Sequence, residues 1–199
     1  MRDNKRAAKR VAWIFLGILS VFAVFLAHFM QTYIFIPPCE QCVYIRFAFL
    51  VFSFGCFIVA INPRSLILKI VGILIITYAI FRGISFTLIL YKIQTALKSD
   101  SFAFGVKGCS LAPSFDFNLP LDSWIPSLFK PQAYCGYDAP ILPQGVVLSP
   151  LQEKLISNFG DGFYLIPSLK IGSLAECAFI LFIIFGVAVA YLLLKNCIK

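Results

Sequence analysis

The residues with the greatest chemical capacity in this chain are Cys39 and Cys42, a CxxC at the mouth of a long apolar run. A CxxC can be half of a metal site or a redox pair. Here the run it opens carries a single arginine, Arg46, four residues after Cys42. A second pair, Cys109 and Cys135, follows inside the largest loop. Two cysteine pairs on one side of a membrane, with a cation just inside the bilayer, suggest electron transfer between protein thiols and a lipid-soluble carrier. Zinc is the competing use of four cysteines. Structural zinc sites usually show two close pairs. Cys109 and Cys135 are 26 residues apart, which suits a loop disulfide better.

Two intervening residues let Cys39 and Cys42 close a small-ring disulfide, with Cys42 in the first turn of the following helix. Unpaired N–H groups and the helix dipole there favour a thiolate. Arg46, one turn on along the same face, adds to that effect, and Glu40 opposes it. Arg46 is also placed to stabilise negative charge developing on a quinone oxygen. Arg82 is a second intramembrane cation at a similar depth. Charges inside a bilayer are costly and mark functional sites by default, the alternative being a structural or snorkelling arginine.

The elements that must position these residues are membrane spans. The chain has 199 residues, 60% hydrophobic and 13% charged, too apolar for a soluble domain of this size. Runs of about 20 apolar residues read as helices, because hydrocarbon leaves no other partner for backbone polar groups. Four are expected, at about 11–36, 43–62, 66–92 and 171–195, in a single membrane domain covering 1–199. The first is too long for a signal-peptide core and is read as a retained helix. A CxxC loop at 37–42 and a long loop at 93–170 would face the periplasm. The fold class is therefore an all-α integral membrane protein, a four-helix bundle.

Charge orients the bundle. Arg2, Lys5, Arg6, Lys9, Arg10, Arg64, Lys69, Lys195 and Lys199, against Asp3 alone, belong to the cytoplasmic side by the positive-inside rule. Both termini are then cytoplasmic, and the net +8 is a topology signal, not a nucleic-acid footprint. Both cysteine pairs fall on the other side, which in a bacterial cell is oxidising. Cys56, Cys177 and Cys197 read as small hydrophobes in the helices. His28 reads as a histidine hydrogen-bonded within the bundle.

Pro37-Pro38 ends the first helix and delivers Cys39 to the interface. Within the long loop, Ser149-Pro150-Leu151-Gln152 is a capping box, opening a short amphipathic helix with Leu151, Leu155, Ile156 and Phe159 on one face. Leu121, Trp124, Ile125, Leu128 and Phe129 form another apolar group. Both groups can pack on the bundle or touch membrane lipid.

These residues resemble the disulfide bond formation protein B family, DsbB and its DsbI branch. The resemblance is carried by Cys39-x-x-Cys42-Val43-Tyr44-x-Arg46, by Phe81-Arg82-Gly83, by Cys109 and Cys135, and by Pro120-Leu121-Asp122-x-Trp124-x-Pro126 between them. It implies a quinone-linked thiol oxidase of bacterial inner membranes. Cys39–Cys42 would be the quinone-proximal redox disulfide, with Cys42 facing the ring. Arg46 would bind the quinone, and Arg82 is a second candidate contact. Cys109–Cys135 would be the relay disulfide, with Cys109 attacked by a reduced thioredoxin-fold partner of the DsbA or DsbL type. Electrons would end on ubiquinone or menaquinone. Ile45 stands where DsbB proteins often carry glutamate, and Leu90 where a histidine has been linked to quinone binding. The stretch 136–170 is longer than in the usual DsbB and favours a DsbI-like member with a dedicated partner. A vitamin K epoxide reductase-like enzyme shares the chemistry, but its CxxC normally follows the loop cysteines. A non-enzymatic four-span protein stapled by disulfides is the remaining alternative, and Arg46 below the CxxC argues against it.

Overall fold

Among the described residues, four helices are long and apolar enough to cross a membrane, as expected from the four apolar runs. The computed structural model describes residues 2–63, 65–98, 109–136 and 138–197. Helix α1 covers Arg2–Tyr33, α2 Glu40–Ile61 and α3 Leu66–Lys98. The long loop then carries α4 (Leu121–Trp124), α5 (Pro126–Phe129) and α6 (Pro150–Asn158), followed by two short antiparallel strands. These are β1 (Tyr164–Ile166) and β2 (Ile171–Ser173), and they lead into α7 (Leu174–Cys197).

Helix α2 is the centre of the bundle. Its apolar stretch is 67% buried against 22–33% for the other three spans, whose outer faces are left for lipid. Aromatic stacking joins it to α7, with Phe49 on Phe182 at 4.3 Å and Phe52 on Phe185 at 4.6 Å between ring centroids. Offset stacking of this kind contributes beyond the area it buries. Against α3 the approach is close because of paired glycines: a Cβ on Gly72 would lie 2.9 Å from the Gly55 carbonyl. Small residues at such crossings let backbones meet where lipid supplies no hydrophobic drive. At the opposite end from the cysteines, Arg10 Nε donates to the Ala60 carbonyl at 3.1 Å and Nη2 to that of Ile61. One basic residue of the topology signal therefore also caps α2. Arg64 and Lys199, from the same basic set, lie outside the described residues.

Helix ends differ from the expected spans for local reasons. Helix α1 stops at Tyr33 and not near residue 36, because Phe35 takes a left-handed conformation (φ 60°) ahead of the two prolines. Helix α2 starts at Glu40, so Cys39 is its N-cap, with the sulfur accepting the Cys42 N–H at 3.2 Å. Helix α3 runs past residue 92 to Lys98. Helix α7 begins at Leu174 and not 171, since Ser173 and Glu176 form a reciprocal cap: Ser173 N–H donates to Glu176 Oε2 at 2.8 Å, and Glu176 N–H to Ser173 Oγ at 3.4 Å. Residues 171–173 pair with 164–166 instead, a hairpin the sequence reading did not include. The capping box of α6 is present as expected.

Candidate active site

Both cysteine pairs are disulfide-bonded, Cys39 to Cys42 with Cα atoms 5.0 Å apart and Cys109 to Cys135 with Cα atoms 5.7 Å apart. Local sequence explains the first: Pro37-Pro38 ends the chain's extended approach, and the N-cap geometry turns both sulfurs inward. Cys39 and Cys42 are buried. The second disulfide is brought to the first by backbone pairing. The N–H groups of Gln132 and Ala133 donate to the Pro38 carbonyl at 2.8 and 3.3 Å. The stretch leading to Cys135 is thereby tied to Pro38, the residue before Cys39. Cys135 is buried, whereas Cys109 is half-buried.

Glu40 ties the loop to α2. It accepts a hydrogen bond from Tyr44 Oη at 2.8 Å and another from the Ser110 N–H. A carboxylate between the two cysteines of the first disulfide thus holds the residue next to Cys109. Tyr44 Oη in turn accepts the Ser114 N–H at 2.8 Å. Phe115 then packs edge-on against Tyr44, Phe47 and Phe129, with centroids 5.3, 5.7 and 5.5 Å apart. The loop is docked on α2 by this cluster. Sequence reading missed Glu40 and Tyr44 as loop ties because nothing local links position 40 to position 110.

The two arginines have separate settings. Arg46 is buried and its guanidinium donates to three oxygens: Gln31 Oε1 at 2.8 Å, the Ala27 carbonyl at 3.1 Å and the Leu128 carbonyl at 3.1 Å. It joins α1, α2 and the end of α5. It also lines a cavity of about 1000 Å³, counted out to its open mouth, between α1, α2 and α7. Cys42, Ile45, Phe49, Met30 and Leu181 share that wall. Arg82 is not brought there. Its Nε donates to Asp116 Oδ2 at 2.7 Å, and Nη2 to Oδ1, with the Phe86 ring 4.6 Å from its carbon centre. Tyr78 Oη donates to the same carboxylate. Arg82 is absent from that lining and faces the loop's Asp116, 34 positions away in sequence.

Burial pushes the Asp116 carboxyl up, but hydrogen bonds from Arg82 and Tyr78 outweigh it and hold the group below its ordinary 3.8. A depressed carboxyl stabilises docking above the ordinary range, and that contribution is lost as pH falls through the lowered value. Asp116→Asn is expected to remove roughly 1–2 kcal/mol, the charge-assisted bonds being discounted for partial exposure. The check is limited proteolysis of the loop, with thermal unfolding alongside, near neutral pH. Unchanged cleavage would mean that the aromatic cluster alone docks the loop.

Other expectations resolve residue by residue. Cys56 is fully buried in α2, as a small hydrophobe would be. Cys177 is a free thiol that lines the same cavity as Cys42, its sulfur 3.4 Å from the Gly172 carbonyl. The Cys197 side chain lies outside the described set. The buried Nδ1 of His28 has no hydrogen-bond partner among the described residues, against the expectation of a bonded histidine. Leu90 is buried in the core away from the cavity wall.

The sequence model of the family described as "Disulfide bond formation protein DsbB" matches residues 9–192. The chain belongs to the DsbB family. Within it, the chain is 45% identical to the putative protein-disulfide oxidoreductase DsbI of Campylobacter fetus subsp. fetus (strain 82-40), over 94% of this chain and 84% of that one. It is 42% identical to the protein-disulfide oxidoreductase DsbI of Salmonella typhimurium (strain LT2), and 41% identical to that of Escherichia coli O1:K1. Each of those matches covers 87% of this chain and 80% of the relative. Membership in the DsbB family makes the chain an oxidoreductase of disulfide bond formation, and sets aside the purely structural four-span reading.

Proposed function

We propose that this DsbB-family enzyme reoxidises a periplasmic thioredoxin-fold disulfide donor, of the DsbA or DsbL kind, and passes the electrons to a membrane quinone. The observation that carries this reading is the placement of Cys42 in the wall of the apolar cavity, with the residues flanking the second disulfide bonded to Pro38 and Glu40 on either side of Cys39. The enzyme would sit in a bacterial inner membrane as one four-span domain, with both termini cytoplasmic. The basic residues around α1 and the α7 terminus support that orientation.

The cavity residues fit a quinone. Its wall is almost wholly apolar, as a ring and prenyl tail require, and its polar exceptions include a guanidinium and a disulfide. Bound there, a quinone supplies an acceptor for two electrons and two protons. Arg46 would hold the ring by a donor left over from its three protein acceptors, since a guanidinium carries five N–H groups. Cys42 lines the cavity and Cys39 does not, which supports Cys42 as the sulfur toward the ring. Arg82 is left as a loop anchor and takes no part in this assignment. The thiol steps are exchanges. A thiolate of the reduced partner attacks Cys109, the Cys109–Cys135 bond breaks, and a mixed disulfide forms. The partner's second thiol then displaces Cys109. The reduced loop pair attacks the Cys39–Cys42 disulfide in turn, leaving that pair as a dithiol.

The test is a trap. Cys135→Ala, mixed with a partner carrying only its attacking cysteine, is expected to accumulate a reducible adduct through Cys109 on a non-reducing gel: Cys109 first exchanges with the Cys39–Cys42 disulfide, and the partner's thiolate then attacks Cys109 and leaves that pair as a dithiol. Cys109→Ala should give none. The half-buried Cys109 against the buried Cys135 supports this assignment. An adduct that forms only when Cys109 is missing would reverse it, and no adduct in either variant would reject the relay.

A further inference from the structure

Among the described residues, the charged side chains in the cavity wall are Arg46 and Asp138, with Cys177 as a free thiol and Cys42 in its disulfide. Asp138 comes from the loop just after Cys135, not from a membrane helix. It is held by α3, where Gln94 Nε2 donates to Asp138 Oδ2. Gln94 is 6% exposed, and its other amide atom, Oε1, is buried with no hydrogen-bond partner among the described residues. A buried acceptor without a donor is costly and calls for an explanation. A carboxyl that keeps its proton supplies one. It presents one O–H donor and one acceptor, which match the acceptor and donor of an amide.

We infer that Asp138, held by Gln94, carries a proton between the Cys39–Cys42 dithiol and the quinone oxygen. The inference rests on the quinone reading above. Oxidation of the dithiol to its disulfide releases two electrons and two protons, and conversion of quinone to quinol consumes the same. Asp138 gives one proton to a ring oxygen, takes one from the dithiol, and ends as it began. No further reductant is needed. Arg46 faces the same space but donates only, so a proton source has to come from another residue.

The test uses the full chain in detergent with a ubiquinone analogue bearing a decyl tail. Infrared difference spectra with and without the quinone should show the carbonyl stretch of a protonated carboxyl shifting on binding. The band should vanish in Asp138→Asn and return in Asp138→Glu. Asparagine can still pair with Gln94 in both senses, so the fold should hold while kcat falls about a hundredfold. Glutamate should recover most of it. If Asp138→Asn does not fold, Gln94→Leu carries the test, and the band must then move in frequency. A wild-type protein that binds no quinone overturns the quinone reading itself. Binding with an unchanged spectrum and kcat in Asp138→Asn, or an unmoved band in Gln94→Leu, overturns the role of Asp138 alone.

Discussion

With Cys39 or Cys42 replaced by alanine, a reduced thioredoxin-fold partner should leave quinone absorbance unchanged in a stopped-flow trace, with turnover at the level of the protein-free blank. One remaining thiol cannot deliver two electrons by disulfide formation. Residues that act as a unit fail together when either is removed. Stability should change far less than turnover. The disulfide closes a ring with a sequence separation of 3, and entropic stabilisation is smallest for short loops. Cys39→Ala also removes the sulfur that caps α2, a loss of about 1 kcal/mol. Thermal unfolding of both variants therefore separates the two effects. Near-normal turnover in either would sink the electron path through this pair.

Arg46→Met should slow quinone reduction about a hundredfold, corresponding to about 3 kcal/mol of lost stabilisation of a developing oxyanion. On sequence grounds the residue is expected to matter more for rate than for folding. The three oxygens that it satisfies change that balance. Methionine leaves Gln31 Oε1 and the Leu128 carbonyl without this donor, at roughly 1–3 kcal/mol for each acceptor left buried and unmet. The variant should be both slower and less stable. Arg46→Lys separates the two roles, because an ammonium keeps the charge but not the planar fork. It should regain part of the rate and little of the stability. Steady-state kinetics against quinone concentration, run beside thermal unfolding, decides. If melting falls while the rate and the quinone dependence hold, Arg46 is only a strut between helices.

The loop after Cys135 also helps to build the cavity in this chain. Asp138 and the phenylalanine at 163 reach the cavity from the loop. The Ile141 N–H donates to the Phe35 carbonyl at 2.9 Å, and Gln152 Nε2 to that of Tyr33 at 3.3 Å. The loop is thus fastened to the end of α1 on the side where Cys42 faces the cavity.

What sequence alone determined here is what depends on neighbouring residues. Four apolar runs specify four spanning helices, since backbone groups in hydrocarbon must be paired within the segment. The Pro37-Pro38 stop, the N-terminal place of Cys42 in α2 and the Ser149–Gln152 capping box are set within a few positions, and each is present. The left-handed turn at Phe35 is equally local but has no residue signal, because a phenylalanine rarely adopts it. Tertiary structure decided everything that joins distant positions. Glu40 meets Ser110, Arg82 meets Asp116, and Gln94 meets Asp138. Each contact joins polar groups from segments far apart in the chain. Burial makes an unmatched polar group costly, so the loop folds back until these groups are met. That closure, not the charge of any one residue, separates Arg46 at the cavity from Arg82 at the loop.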